Sequence, residues 1–447
     1  MKKIKNRALS ALILVLIAII GLGIYIGRYA VSGGQWASAA FNLNVYSRGA
    51  LSVGTLTDRN GVILADISDS RRIFAENSDV RRSTLHTVGD MYGYIGTGAL
   101  SVYSREMMGY NMITGAYSRT GVGKTVALTI DSRLNVEAYK ALDGRRGAVM
   151  VMNYETGEIL AMVSSPTFDP ADQPIITDDD PAYEGVYINR AISAAYTPGS
   201  TFKLLTAAAA IENIEDIYDR TFHCGAVLET DKGSVTCPGT HGSLTFEKAL
   251  VESCNVTFGA ISLELGADTL AKYAEAFGLT ERISIDRLST AAGNFDKAQP
   301  DTADLAWSGI GQYNNTVCPA AMLRFVGAIA NEGRAAEMTL LANAGIKSIL
   351  PSSSSRVMQR ETALELGAIM NVGFGQSGGS NFPGLIMHAK SGTAQVGGDN
   401  RPHAWFTGYI TNEGFPLAFV VIVENGGGGA AVAGPVANRV LQAAIIT

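Results

Sequence analysis

The longest uninterrupted apolar stretch opens the chain. Lys2, Lys3, Lys5 and Arg7 precede a charge-free run from Ala8 to Ile26, and Arg28 follows it. At 1.5 Å rise per residue such a run forms a helix long enough for a hydrocarbon core of about 30 Å. The expected layout is a cytoplasmic tail over residues 1–7 and a single transmembrane helix over residues 8–26. The basic flank stays inside and the bulk of the chain lies outside. A cleaved signal peptide is the rival reading, because Ala37-Ser38-Ala39 has the small-x-small look of a cleavage site. The apolar run exceeds the usual h-region of about 7–15 residues, and that site lies far beyond its end. Both readings export the body of the protein.

Beyond the anchor the pattern alternates between periods of two and of three to four. Val53 to Thr57 and Val62-Ile63-Leu64 flank Asp58-Arg59-Asn60-Gly61, and Asn-Gly between two such runs predicts a hairpin. Residues 65–120 mix polar and glycine-rich segments and predict no single element. Val126 to Ile130 reads as a strand. A helix follows, capped by Asp131 or Ser132, with Leu134, Ala138 and Leu142 on one face. A second unit begins near Gly147, with apolar runs Ala148 to Met152 and Ile159 to Val163 around a turn at Asn153 to Gly157. Residues 170–190 are acidic and proline-bearing, hence a loop. Thr197-Pro198-Gly199 then breaks the chain before a long apolar helix from Ser200 to Ile211. A strand from Leu417 to Glu424 and a helix from Pro435 to Ile446 close the chain. Strands at both ends of this unit, with helices between, predict an α+β domain over residues 145–447 whose terminal strands share one sheet. Residues 27–144 form a smaller, β-rich N-terminal module.

Composition narrows the function classes. Of 447 residues 47% are hydrophobic, so a sizeable core is available, and a net charge of −6 makes nucleic acid a poor partner. The 50 glycines follow no period, which excludes a collagen-like chain. Among the four cysteines, Cys224 and Cys237 lie close together in a polar stretch, and an oxidising exterior could join them. A zinc reading of His223, Cys224, Cys237 and His241 lacks paired C-x-x-C spacing and is set aside. Cys254 and Cys318 read as small buried side chains.

Three short motifs carry chemistry. Ser200-Thr201-Phe202-Lys203 is S-x-x-K, Ser253-Cys254-Asn255 is S-x-N, and Lys390-Ser391-Gly392-Thr393 is K-S-G-T. Each is weak alone. Each occurs once, in this order, and the joint pattern is far more specific than its parts. A serine hydroxyl needs a neighbouring base to become a nucleophile. Lys203, three residues on along a helix start, is placed beside Ser200. Desolvation by the apolar helix and a second cation, Lys390, would lower its pKa enough to make it a base. Ser253 can relay a proton, and Asn255 can hold Lys203 and donate to a substrate amide. The Lys390–Thr393 segment suits a sheet edge, where Gly392 permits close approach and a peptide could add as a strand. The hydroxyls of Ser391 and Thr393 suit a terminal carboxylate. Backbone N–H groups of Ser200 and Thr393 suit an oxyanion.

These motifs resemble those of the penicillin-binding proteins and serine β-lactamases. Further segments are similar to the class B penicillin-binding proteins: Arg59 to Ala65, Leu128 to Asp131, Gly147-Ala148-Val149, Thr156 to Ser164, Asn189-Arg190-Ala191, Tyr196 to Lys203, Gly309 to Gln312 and Trp405 to Gly408. The resemblance runs from about residue 145 to the end and is weaker over 45–135. It implies a transpeptidase domain with an antiparallel sheet flanked by helices. It also implies Ser200 as the acylated nucleophile, Lys203 as base, Ser253 and Asn255 as relay and positioning groups, and Lys390 to Thr393 as the carboxylate and backbone site. The implied substrates are peptidoglycan stem peptides, a D-Ala-D-Ala donor and an amine acceptor. β-Lactams are the implied inhibitors, and a membrane glycosyltransferase is the implied partner. No metal or organic cofactor is expected. Two departures, Ser391 where the family often has threonine and Cys318-Pro319 where it commonly has Thr-Pro, remove no catalytic group.

Two other motifs are decoys. Gly375-Gln376-Ser377-Gly378-Gly379 matches the G-x-S-x-G elbow, but more loop residues and Pro383 follow instead of a helix. Gly121 to Thr125 imitates a phosphate loop but has Ser118 where the first glycine is required. Two rival functions stand beside the transpeptidase: a carboxypeptidase or β-lactamase with water as acceptor, and a non-catalytic scaffold or sensor. A retained anchor and a whole N-terminal module weigh against the hydrolase. The five intact polar residues weigh against the scaffold.

Overall fold

The computed structural model describes residues 2–37, 54–68, 71–108, 123–177, 179–342, 354–376 and 379–446. Helix α1, Lys2–Ala37, contains the apolar stretch Ile4–Tyr29, which is long and apolar enough to cross a membrane and has none of its side chains buried in the protein. That fits a single-pass anchor. Ser38 and Ala39 of the cleavage-like tripeptide lie outside the described residues.

The expected N-terminal hairpin is present. Strands β1, Gly54–Thr57, and β2, Ile63–Ser68, pair antiparallel, and the buried Asp58 ties the turn by accepting from the N–H groups of Asn60 and Val62. Strand β3, Arg71–Phe74, adds to β2, and β4, Lys124–Ala127, pairs parallel with β1. Between β3 and β4 the chain forms helix α2, Ser78–Val88, where the sequence predicts no single element. Its cap is plain in retrospect: Asn77 accepts from the N–H groups of Asp79 and Val80. Asp131, the first of the two expected caps, accepts from Arg133 N–H and starts helix α3, Ser132–Leu142.

The larger unit is built on one five-stranded antiparallel sheet. Its strands are β5, Gly147–Asn153, and β6, Ile159–Ser165, at one side. Three late strands follow: β7, Met387–Ala394, β8, His403–Ile410, and β9, Leu417–Val423. The order is β7-β8-β9-β5-β6. Strands from the two ends of the unit therefore meet at β9 and β5, as expected. Alternate residues face opposite sides. Met150, Met152, Val420 and Ile422 pack toward helices α4, Lys203–Asn213, and α5, Pro319–Ala330. Val149, Val151, Phe419 and Val421 pack toward α3 and the last helix, α6, Gly429–Ile445. Both faces are covered, which is why these strands read as continuous apolar runs. Helix α6 begins six residues before the expected Pro435, which lies inside it. Its first residues are glycine and alanine, which carry little pattern to read.

The architecture leaves β7 as a sheet edge. Its K-S-G-T segment passes directly beside the turn that carries Ser200.

Candidate active site

Ser200 lies in a 3-10 turn, Gly199–Phe202, and α4 proper starts at Lys203. The sequence places Ser200 in the helix itself. The tighter turn aligns the pair better, because side chains three apart eclipse in a 3-10 helix. Two glycines let the strand edge close on this turn. Gly199 has φ +55°, and a Cβ there would sit 3.0 Å from Ala394. A Cβ on Gly392 would sit 2.9 Å from the Pro198 carbonyl and 2.9 Å from the Thr201 methyl.

The five residues singled out in the sequence come together. Lys203 Nζ lies 3.2 Å from Ser200 Oγ, 3.1 Å from Ser253 Oγ and 2.7 Å from Asn255 Oδ1, and it also contacts the Ser253 carbonyl. Lys390 Nζ donates to Ser253 Oγ at 2.9 Å and to the Ser391 carbonyl at 3.1 Å. Ser253, held at φ +55°, stands between the two lysines. Asn255 is fixed by its own amide, whose Nδ2 donates to the Thr236 carbonyl at 2.9 Å and so turns Oδ1 toward Lys203.

Lys203 is fully buried. Burial first, and repulsion from Lys390 second, hold its amine well below the ordinary lysine value; Cys237 and Cys254 act weakly the other way. A neutral amine has two N–H donors and one lone pair. The Ser253 carbonyl and Asn255 Oδ1 can only accept, so they match both donors. The lone pair is left facing the two hydroxyls. Burial lowers Lys390 to about 8, so it is largely cationic at neutral pH.

Of the three expected carboxylate-site residues, Ser391 is half-buried, Gly392 buried and Thr393 exposed on β7. Thr393 Oγ1 accepts from Gly429 N–H at 3.2 Å, which leaves its proton to donate outward. A cavity of about 320 Å³ opens beside Ser253, Lys390 and Ser391 and is walled by Phe374, Phe382 and Phe406.

Transpeptidase domains of the penicillin-binding proteins match this chain over residues 147–442, an interval that contains all three motifs. The chain belongs to the penicillin-binding protein transpeptidase family. The peptidoglycan D,D-transpeptidase PbpA of Mycobacterium tuberculosis is 30% identical over 381 residues, covering 76% of this chain and 76% of that protein. Stage V sporulation protein D of Bacillus subtilis is 28% identical over 72% of this chain and 53% of that protein. A solved structure of penicillin-binding protein A from M. tuberculosis, as a ceftriaxone acyl-enzyme, superposes with a TM-score of 0.74 at 26% identity. It covers 90% of this chain and 99% of that one.

Around the site of this penicillin-binding protein lies a second ring of contacts that the sequence did not single out. Glu424 Oε1 accepts from the Tyr196 hydroxyl at 2.6 Å and from Arg190 Nε at 2.8 Å. Trp405 Nε1 donates to the Thr197 carbonyl at 2.9 Å. Together they brace residues 196–199, which deliver Ser200. In sequence Glu424 was only the end of a strand; a lone acidic residue closing an apolar run was the available signal.

Cys254 and Cys318 are buried, as expected, and the pairing of Cys224 with Cys237 was left open by the sequence. All four cysteines are free thiols. Cys224, Cys237 and His241 do approach one another, but His223 is not among them. Cys254, read as a small buried side chain, completes the group. Of the decoys, Ser377 and Gly378 and also Gly121 and Val122 lie outside the described residues; Lys124 and Thr125 belong to β4.

Proposed function

We propose that this chain is a peptidoglycan D,D-transpeptidase in which Ser200 carries the acyl group. The observation that supports it is the hydrogen-bonded chain Ser200–Lys203–Ser253–Lys390, with Lys203 buried. Ser200 Oγ attacks the penultimate D-alanine carbonyl of a donor stem peptide, and its proton passes to the Lys203 lone pair. The Oγ–C bond forms. The C–N bond to the terminal D-alanine breaks, and the leaving nitrogen takes a proton delivered through Ser253. An amine from a second stem peptide then attacks the ester, loses a proton to the same relay and restores Ser200. The backbone N–H groups of Ser200 and Thr393 are the assigned oxyanion donors. Lys390, Ser391 and Thr393 take the donor's carboxylate, and the open edge of β7 takes its backbone as an added strand.

A β-lactam enters as a donor whose leaving nitrogen stays tethered, so the acyl-enzyme persists. The solved ceftriaxone acyl-enzyme of the mycobacterial relative supports this reading.

The assigned layout is a tail over residues 1–7 inside the cell and an anchor over 8–26. Outside the membrane stand a non-catalytic module over 27–144 and a transpeptidase unit over 145–447. Orientation rests on the four cations ahead of the apolar run. The assigned partner is a membrane glycosyltransferase, which makes the glycan strands that a transpeptidase joins. The deciding experiment is labelling with a fluorescent penicillin, on wild type and on Ser200→Ala. The expected result is a stable covalent band in wild type that the variant lacks. No band in folded wild type would overturn the catalytic reading, and a band that forms and fades would point to the hydrolase.

A further inference from the structure

Against the S-x-N motif, Sγ of Cys224, Cys237 and Cys254 and a ring nitrogen of His241 all lie within 4.8 Å of one another. The four come from three separate segments. Cys224 ends the strand Phe222–Cys224, Cys237 follows the strand Ser234–Thr236, and His241 precedes Gly242–Leu244, which pairs with Phe222–Cys224. Cys254 caps the helix Asn255–Ala276. Cys224 and Cys254 are fully buried.

A disulfide would use two of these groups and leave a thiol and an imidazole facing it. A tetrahedral metal uses all four. With zinc–sulfur bonds of about 2.3 Å and zinc–nitrogen bonds of about 2.0–2.1 Å, donor atoms at the corners stand roughly 3.5–3.8 Å apart. Cys237 Sγ and His241 Nδ1 are already 3.5 Å apart. The widest pair needs no more than about 1 Å of inward movement to reach that geometry, within reach of small side-chain rotations. The sulfurs are also arranged to carry charge. Asn255 N–H donates to Cys237 Sγ at 3.4 Å, and Thr257 N–H donates to Cys254 Sγ at 3.4 Å. Backbone donors aimed at sulfur are the outer-shell bonds that thiolate ligands require.

We propose that Cys224, Cys237, His241 and Cys254 bind one zinc ion as a closed Cys3His site that holds the S-x-N segment in its catalytic conformation. Three thiolates and an imidazole in tetrahedral array select zinc over calcium or magnesium. Four protein donors leave no open position, so the ion is structural. It also accounts for three clustered thiols outside the membrane, where unprotected thiols are oxidised.

The link to catalysis is short in sequence and in space. Cys254 is the residue between Ser253 and Asn255. Asn255 donates twice to the segment that carries Cys237, from its N–H to Cys237 Sγ and from its Nδ2 to the Thr236 carbonyl. An ion fixed on Cys237 and Cys254 therefore clamps the two residues that flank Lys203. These four ligands act as positioning residues; none touches the reacting atoms.

The test is metal analysis of the full chain purified in detergent without chelator. The expected result is about one zinc per chain, lost in Cys224→Ser and in His241→Ala and retained in Cys318→Ser. Cobalt(II) exchanged into the site should give the thiolate charge-transfer and ligand-field bands of a tetrahedral ion. Penicillin acylation should fall about tenfold or more when zinc is removed and recover when zinc is returned, the range seen for outer-shell disruption. A wild-type chain with negligible zinc, or with two of these cysteines joined by intact mass, overturns the site. Zinc lost with acylation unchanged overturns the clamp. The metal content is read independently of acylation, so this test and the transpeptidase test fail separately.

Discussion

Lys203 Nζ stands 3.2 Å from Ser200 Oγ, fully buried, with two obligate acceptors on its other side. Nothing else within hydrogen-bond reach of Ser200 Oγ in the described residues could take its proton. Substituting Lys203→Ala should therefore cut the second-order rate of acylation by penicillin by about 10²- to 10⁴-fold, the usual contribution of a positioned base. Stopped-flow or gel-based acylation kinetics measure this. A near-normal rate would show that the proton goes elsewhere.

The two lysines set opposite pH limits. Lys203 acts when neutral, and burial with repulsion from Lys390 lowers its pKa. Acylation should therefore rise with pH through that lowered value, well before free lysine titrates. Lys390 acts when charged, and burial lowers it to about 8. Acylation should fall again as pH rises past about 8, giving a bell. Lys390→Arg keeps its charge at all accessible pH. Its profile should be lower overall but without the alkaline limb. An unchanged alkaline limb in that variant would assign it to another group.

Gly392→Ala tests the close approach of β7 to the turn that carries Ser200. Its new Cβ meets the Pro198 carbonyl and the Thr201 methyl at 2.9 Å, and a backbone oxygen cannot swing aside as a flexible side chain can. Overpacking of this kind costs about 1–3 kcal/mol. A lower melting temperature and a lower acylation rate should appear together, because the same strand edge is the one proposed to receive the substrate. A stable variant with full acylation would mean that the edge yields freely.

The convergence of the three motifs was legible because their residue types are demanded by the proposed chemistry and lie in three short windows. The β5–β6 hairpin and the α3 cap were legible because local turn and cap residues dictate them. Cys254 was not, since its partners lie 13 or more residues away in sequence and only the fold brings them together. Helix α2 was missed because its polar residues outweigh a thin apolar face, although Asn77 marked its start. Ser200 was expected inside an α-helix; Gly199, at φ +55°, instead turns the chain into a 3-10 start, and the α-helix begins at Lys203.

Glu424 is the remaining test, because it ties the end of β9 to the segment ahead of Ser200. Burial pushes its carboxyl up, but the hydrogen bond from Tyr196 and the charge and hydrogen bond of Arg190 outweigh burial and hold it below the ordinary glutamate value. A carboxyl whose pKa is lower when folded stabilises the fold above its unfolded value, and that stability is lost as pH falls through the folded value. Glu424→Ala removes this and strands Arg190, whose side chain is only 6% exposed. Breaking one partner of a buried pair costs about 3–5 kcal/mol. Thermal melting at neutral pH should drop by several degrees, and the gap from wild type should shrink in acid, where Glu424 is protonated in both states. Acylation should fall as well, since Tyr196 loses its acceptor and the 196–199 segment loosens. An equal melting temperature at neutral pH would mean that Arg190 finds another partner and that Trp405, through Thr197, braces the turn alone.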